Sequence, residues 1–518
     1  MRLFVLGLLV VVLSASACTL NQPEVIVITA TFLPPSDEPA QVVPSLVPTL
    51  ALPEGTLIVP TANPARPPVQ VASASDYVVK AGDTLFAIAA ENGVSIETLL
   101  AVNDIPNPDS LTIGQVIHLP DPPSVEGSAF KIVPDSRLVR APGSSGFDVT
   151  TFVSQQTGFL RVATDTINNV PYTGAQVVQR VALEYSVDPR LLLALIEYRS
   201  HLLSSAAPTQ AQKDFAVGAP PYANGIARKG LYLQLTWAAD QLNYGYYGWN
   251  LRGLNSVEFT EGTRILFARS LNAGTVGIQY LLSLGAGYPA WQRDAGADGL
   301  YRTYVHYFGD PFVDAVEPLV PDDLQQPELT FPFPAGQVWY FTGGPHGGYG
   351  SGSAWAAVDF APPDDLTTVT DACYVSENFA TALAPGLVVR TDEGTVVLDL
   401  DGDGDEATGW VILYLHMASQ GRIRQGTVVR VGDRIGRPSC EGGFSNGTHM
   451  HIARRYNGEW IPVACEECAP GIQRPPLVMS GWTFYGLAGQ EYQGGLLKQG
   501  ERRVAEQGRN VADNQVSW

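Results

Sequence analysis

The sequence is short of positive charge, of histidine and of long apolar runs. Lys and Arg total 31 against 51 Asp and Glu, a formal net charge of −20 over 518 residues. That balance argues against nucleic acid as a partner, which would favour a basic patch. The apolar run from Leu3 to Leu13 is too short to span a bilayer, and no other stretch is long and apolar enough to do so. Of the five cysteines, four (Cys373, Cys440, Cys465 and Cys468) fall in the last third of the chain. With only seven histidines, the placement of His449 and His451 one residue apart needs a reason.

What is present divides the chain into segments, as its length leads one to expect. Residues 1–17 place Arg2 before the apolar run and end in small residues, the pattern of a signal peptide. Ala15-Ser16-Ala17-Cys18 resembles the bacterial lipobox, although its first position is usually Leu or a similar apolar residue. The resemblance implies cleavage before Cys18, a lipidated thiol there and an extracytoplasmic, membrane-anchored lipoprotein, with plain secretion as the alternative. Residues 18–75 are rich in Pro, Thr, Ala and Val, a composition suited to a semi-extended spacer rather than a core.

An exported chain meets an oxidising compartment, so disulfides are expected. Four cysteines allow three pairings, and the expected one is Cys373–Cys440 with Cys465–Cys468. Cys465-Glu466-Glu467-Cys468 also reads as half of a zinc site, but no second half follows.

Residues 76–121 change character. A short strand at Tyr77-Val78-Val79 meets Gly82-Asp83-Thr84, where Thr84 suits a helix N-cap, and apolar residues then recur at helical spacing (Leu85, Ile88, Ala89). A second helix is expected from Ser95, and a closing strand at Gly114-Gln115-Val116-Ile117, with His118 structural. In VKAGDTL, LLAVN and LTIGQVI this segment resembles the LysM module, a small βααβ fold. The resemblance implies binding to N-acetylglucosamine-containing glycans such as peptidoglycan. Its bland counterpart is the same small fold without glycan affinity.

Residues 126–325 read as mostly helical. Asp188-Pro189 supplies an N-cap and a first-turn proline, and Leu191, Leu192 and Leu195 supply an apolar face. The stretch 174–202 resembles the lysozyme-like lytic transglycosylases, whose catalytic acid sits in a Glu-Ser pair at the helix end. Here that pair is Arg199-Ser200, and Glu197, two residues earlier, faces elsewhere on a helix. Glycoside cleavage needs a placed carboxylic acid. The expectation is therefore a degenerate lysozyme-like domain that binds glycan or acts as a spacer, with an unrelated helical domain as the alternative. His201 and His306 read as structural or surface residues.

From about residue 328 to 480, Gly-rich turns separate short runs of Val, Leu, Ile and Tyr, which predicts an antiparallel all-β domain. It holds His346, Asp359, His416, His449 and His451. Side chains at i and i+2 of a strand share a face, so His449 and His451 point the same way. A hydrolytic zinc site needs about three protein ligands and an open position for water. These residues resemble the motifs of the lysostaphin-type (LytM-type, M23) zinc endopeptidases: a His then an Asp, Tyr414-Leu415-His416-Met417, and His449-Met450-His451. The resemblance implies Zn2+ held by His346, Asp359 and His451, with His416 and His449 catalytic. The spacing of 13 from His346 to Asp359 exceeds the usual four and is similar to that of the β-lytic and staphylolysin branch.

Asp399 to Gly404 matches the opening of an EF-hand loop, but Trp410 stands where the closing Glu belongs, and an acidic hairpin turn is expected instead. Residues 481–518 read as a C-terminal tail without a functional signal. The whole is expected to be an anchored cell-wall hydrolase acting on peptide bonds of peptidoglycan stems or cross-bridges. Two competing readings are a non-catalytic wall-binding scaffold or activator of other hydrolases, and glycan cleavage by the helical domain, which Arg199 argues against.

Overall fold

The computed structural model describes residues 76–518, apart from short stretches at 81, 92–95, 106, 109, 120–123, 224–225, 260–261, 369–370 and 510. The expected signal peptide, the lipid-bearing Cys18 and the spacer lie outside the described residues. Among the described residues, no helix is long and apolar enough to cross a membrane.

The first element group is a βααβ unit. Strands Asp76–Val78 and Val116–His118 pair antiparallel and bracket helices Leu85–Glu91 and Ile96–Val102. Thr84 Oγ1 accepts from the Ala87 N–H at 3.1 Å, capping the first helix. Asn103 ties the second helix to the closing strand, donating to His118 O at 2.6 Å and accepting from His118 N at 2.7 Å. Val79, Leu85, Ile88, Leu99 and Ile117 form its small core. The exposed His118 ring meets Asp76 at 2.5 Å on the solvent side of the strand pair.

The middle segment is built on four longer helices: Gly174–Tyr185, Pro189–Ser200, Leu231–Asn250 and Ala273–Ser283. Asp188 caps the second through the Arg190 N–H, with Pro189 in the first turn. Leu231–Asn250 and Ala273–Ser283 cross where glycines face each other. A Cβ on Gly245 would lie 2.8 Å from Gly277 Cα. The segment also contains small sheets, including a parallel pairing of Ser124–Glu126 with Arg264–Leu266. Glu197 is turned to its own C-terminal loop, where it accepts from Leu203 N, Ser204 N and Ser204 Oγ at 2.9, 3.2 and 2.6 Å. Arg199 pairs with Asp294 at 3.2 Å. His201 ends its helix in a left-handed conformation, and His306 lies edge-on to Tyr307.

The β segment is a nine-stranded antiparallel sheet. Its order is Val428–Val429, Gly386–Asp392, Thr395–Asp399, Trp410–Leu415, Met450–Tyr456, Ala357–Ala361, Trp339–His346 and Gln515–Val516, with Glu459–Trp460 beside Met450–Tyr456. Its central strands are buried on both faces, which explains why VVLD and VILYL read as continuous apolar runs. Alternation along each strand separates two cores. Val396, Leu398, Ile412, Tyr414 and Ile452 enter the core inside the β segment. Val397, Val411, Leu413, Leu415 and Ala453 enter a core shared with Leu191, Leu195 and the other helical residues. A buried charge cluster reinforces this seam: Glu406 takes Arg455 at 2.8 Å, Arg390 at 3.0 Å and Arg140 at 3.8 Å.

Residues 481–518 depart from the expected tail. Trp482–Leu487, Gln490–Lys498 and Glu501–Val504 form a sheet with Val478–Met479, and Gln515–Val516 pairs onto Trp339–Tyr340 at the edge of the main sheet. Phe484, Leu496 and Val516 are buried in the β core. The segment escapes notice in the sequence because glycine and polar residues interrupt its strands, and because its burial depends on a distant partner. The disulfides Cys373–Cys440 and Cys465–Cys468 are both formed, as expected.

Candidate metal centre

Sheet register gathers the site. Asp359 lies opposite Gly343 on one side and His451 on the other, and His451 lies opposite Leu415, the residue before His416. His346 ends the strand that contains Gly343. A Cβ at Gly343 would come within 2.4 Å of Asp359 Oδ2, so only glycine lets the carboxylate lie across that strand. His416 leaves its strand at φ +65°, a left-handed conformation that turns the ring toward the histidine pair.

The polar atoms converge. Asp359 Oδ1 lies 3.3 Å from His346 Nε2, 3.4 Å from His451 Nδ1 and 3.7 Å from His449 Nε2. His346 Nε2 and His451 Nδ1 are 3.0 Å apart. The His416 and His449 rings are 4.4 Å apart. His449 and His451 thus address the same carboxylate oxygen.

Each histidine gives its other nitrogen to a backbone carbonyl. His346 Nδ1 donates to Gly344 O at 2.8 Å, His451 Nε2 to Gly348 O at 3.0 Å, His416 Nδ1 to Glu441 O at 3.0 Å and His449 Nδ1 to Gly447 O at 2.8 Å. A carbonyl can only accept, so the proton is fixed on the outer nitrogen and the lone pair faces inward. This outer-shell arrangement is that of metal-binding imidazoles.

A metal ion fits these donors. His346, Asp359 and His451 offer two imidazole nitrogens and a carboxylate oxygen, all buried and mutually within 4.8 Å. Asp359 Oδ1 is buried with no hydrogen-bond donor directed at it, although three rings lie close. Tetrahedral zinc ligands at about 2.0–2.1 Å from the ion sit roughly 3.3 Å from one another, close to the separations seen here.

Electrostatics divide the rings. Burial opposes charge on His346, but ionised Asp359 overcomes it and raises that imidazole. Burial raises Asp359 too, yet His346 and His449 hold it well below the usual carboxylate range. Burial lowers His451. Burial, with His449 and His451 nearby, pushes His416 down to about 3, so it is neutral at neutral pH.

The centre lies in a groove of about 1260 Å³. One wall carries Tyr232, Leu233 and Thr236 of the helical segment, and the rim carries Phe444, which is 94% exposed. Tyr492 stacks on His346 and Glu491 Oε1 accepts from Gly347 N at 3.1 Å. Sequence reasoning did not reach Tyr492, Glu491 or the four carbonyls. The first two lie in the segment taken for a tail, and carbonyls leave no mark on residue type. The second acidic cluster, at Asp399–Asp403, is a hairpin turn. Asp399 accepts there from the backbone of Asp401, Gly402 and Gly404.

Comparison with known proteins follows the same division. Residues 77–120 match the LysM domain model, and residues 131–320 match the model for the N-terminal domain of LasA. The segment expected to be a degenerate lysozyme-like domain is therefore similar to the LasA N-terminal domain. The chain is 24% identical over 298 residues to protease LasA of Pseudomonas aeruginosa, covering 54% of this chain and 65% of that protein. It thus spans just under two thirds of that relative's length. Over 56 residues it is 52% identical to the N-acetylmuramoyl-L-alanine amidase XlyB of Bacillus subtilis, covering 11% of this chain and 18% of that one. Among solved structures, the M23 metalloprotease pseudoalterin is 20% identical with a TM-score of 0.27, covering 35% of this chain and 96% of that chain. The chain thus carries a LysM domain, a segment similar to the LasA N-terminal domain and a distant relationship to protease LasA.

Proposed function

We propose that the protein is a zinc-dependent endopeptidase that hydrolyses peptide bonds in peptidoglycan stems or cross-bridges at the bacterial cell envelope. The observation that carries this reading is the convergence of His346 Nε2, Asp359 Oδ1 and His451 Nδ1, with a buried carboxylate oxygen that no donor satisfies. These residues would hold zinc, which lowers the pKa of a bound water and polarises a scissile carbonyl. His416, neutral and with its lone pair directed inward, would take the proton from the attacking water. His416 would then return that proton to the leaving amine, and His449, held through Nδ1 by Gly447 O with its lone pair inward, would accept from the attacking water and orient it.

The LysM unit would bind the glycan strands and raise the local concentration of stem peptides by tethering. A lipid on Cys18 and the Pro-rich spacer would hold the protein at a membrane outside the cytoplasm.

Digestion of purified peptidoglycan tests the reaction. New free amines without new reducing sugar ends are expected from the full chain. New sugar ends instead would indicate glycan cleavage. Bound zinc with neither product would indicate the non-catalytic wall-binding scaffold. His416→Ala and His449→Ala should each lower turnover by about 10²–10⁴-fold while the chain keeps its zinc.

A further inference from the structure

The loop between His346 and Asp359 is anchored from outside the β segment. Asp240, half-buried on helix Leu231–Asn250, accepts from Gly352 N through Oδ1 at 2.8 Å and from Ser351 Oγ through Oδ2 at 2.9 Å. The contact is close-packed. A Cβ on Gly352 would lie 1.9 Å from Asp240 O, and one on Gly350 (φ +72°) would lie 2.6 Å from both Asp240 Oδ1 and Tyr185 Cε1. Tyr185 also packs edge-on against Tyr349, with ring centroids 5.1 Å apart.

Within the loop, hydrogen bonds pass this anchoring toward the metal centre. Ser353 Oγ donates to Gly350 O at 2.9 Å and accepts from Tyr349 N at 3.2 Å. Gly348 N donates to Ala354 O at 3.1 Å. Gly348 O then accepts from His451 Nε2 at 3.0 Å, which leaves His451 Nδ1 to face His346 and Asp359. Moving this carbonyl would free the ring to rotate and to change tautomer.

We propose that Asp240 is a positioning residue for the metal centre: by clamping Ser351 and Gly352 it holds the Gly348 carbonyl, and through it the orientation and tautomer of His451. The helical segment then contributes, through Asp240, to holding the loop between His346 and Asp359. The inference rests on the metal-centre reading above. Loss of an outer-shell hydrogen bond weakens metal binding by about 10–100-fold. Asp240 acts one step further out, so the lower end is expected.

The test is the zinc dissociation constant of the full chain, by competition with a chelator, for the parent, Asp240→Ala, Asp240→Asn and Ser351→Ala. Melting temperatures of the metal-free proteins are measured beside it. Asp240→Ala should bind zinc about tenfold more weakly and Ser351→Ala severalfold more weakly. Asp240→Asn should stay near the parent, because its amide oxygen still accepts from Gly352 N and its amide nitrogen can donate to Ser351 Oγ. A lowered melting temperature with zinc affinity within about twofold of the parent would show a merely structural role and overturn the proposal. If Asp240→Ala does not fold, Ser351→Ala decides: weakened zinc binding upholds the proposal and parental binding overturns it. A parent that binds no zinc would overturn the metal-centre reading, and this inference with it.

Discussion

Tyr492 stacks on His346 with ring centroids 4.3 Å apart and planes 20° from parallel. The contact joins a ring of the candidate metal centre to a C-terminal strand that lies 146 residues further along the chain. Gly344, whose carbonyl holds His346 Nδ1, sits against the same strand, since a Cβ there would come within 2.5 Å of Gln493 O. The C-terminal strands therefore form the outer support of the first proposed ligand.

Replacing Tyr492 by Ala should leave the fold intact, because this side chain is 48% exposed, and should weaken zinc binding through the freed His346 ring. A loss of about tenfold in affinity is expected, in the range of outer-shell substitutions. Chelator competition checks it, and unchanged affinity would show that the stacking does not orient the ring.

Removing the metal should have a thermal signature. A ligand present at about 1,000 times its dissociation constant stabilises a protein by about 4 kcal/mol. Chelation should therefore lower the melting temperature of the parent, and zinc should restore it. In Asp359→Asn, which replaces the ligand charge, chelator and zinc should shift the melting temperature far less.

Glu406 should be indispensable to the fold. Burial would raise its carboxyl, but Arg390, Arg455 and Arg140 hold it far below the usual range. Glu406→Ala leaves those guanidiniums facing each other in the seam between helices and sheet, and a loss of about 3–5 kcal/mol is expected. The lowered folded-state pKa means this stabilisation is present above the unfolded value near 4.5 and fades as acid approaches the lower folded value. Urea denaturation as a function of pH measures both effects.

Glu317 should act with the opposite sign. Burial, with Asp135 nearby, pushes its carboxyl from 4.5 up to about 8. Between those values the unfolded chain has released the proton and the folded chain keeps it, so stability falls as pH rises through that window. Glu317→Gln should flatten the slope and raise the melting temperature at pH 8 relative to the parent. Parallel pH profiles for the two proteins would refute this.

Much of the local structure was legible in the residues. Thr84 and Asp188 mark helix starts because their side chains cap the N–H groups that follow them. His449 and His451 stood out because few histidines are present and these two lie one residue apart, whereas His346, Asp359 and His416 were indicated by the resemblance to the lysostaphin-type motifs; the fold brings the five together. Of the three pairings that four cysteines allow, the expected one is formed.

The rest was decided by tertiary structure. A run such as Val411 to Leu415 shows that both faces of a strand are covered, but not by what. Here one face meets the β core and the other the helical segment. Tyr492 and Asp240 carry no local pattern that marks them, because each gains its role from a partner more than 100 residues away. Local sequence determined which side chains could bind a metal and which backbone could carry them, through capping, alternation and residue chemistry. Only long-range packing decided which carbonyl, ring and carboxylate hold those side chains in place, because such contacts depend on the closure of the whole chain and not on any segment of it.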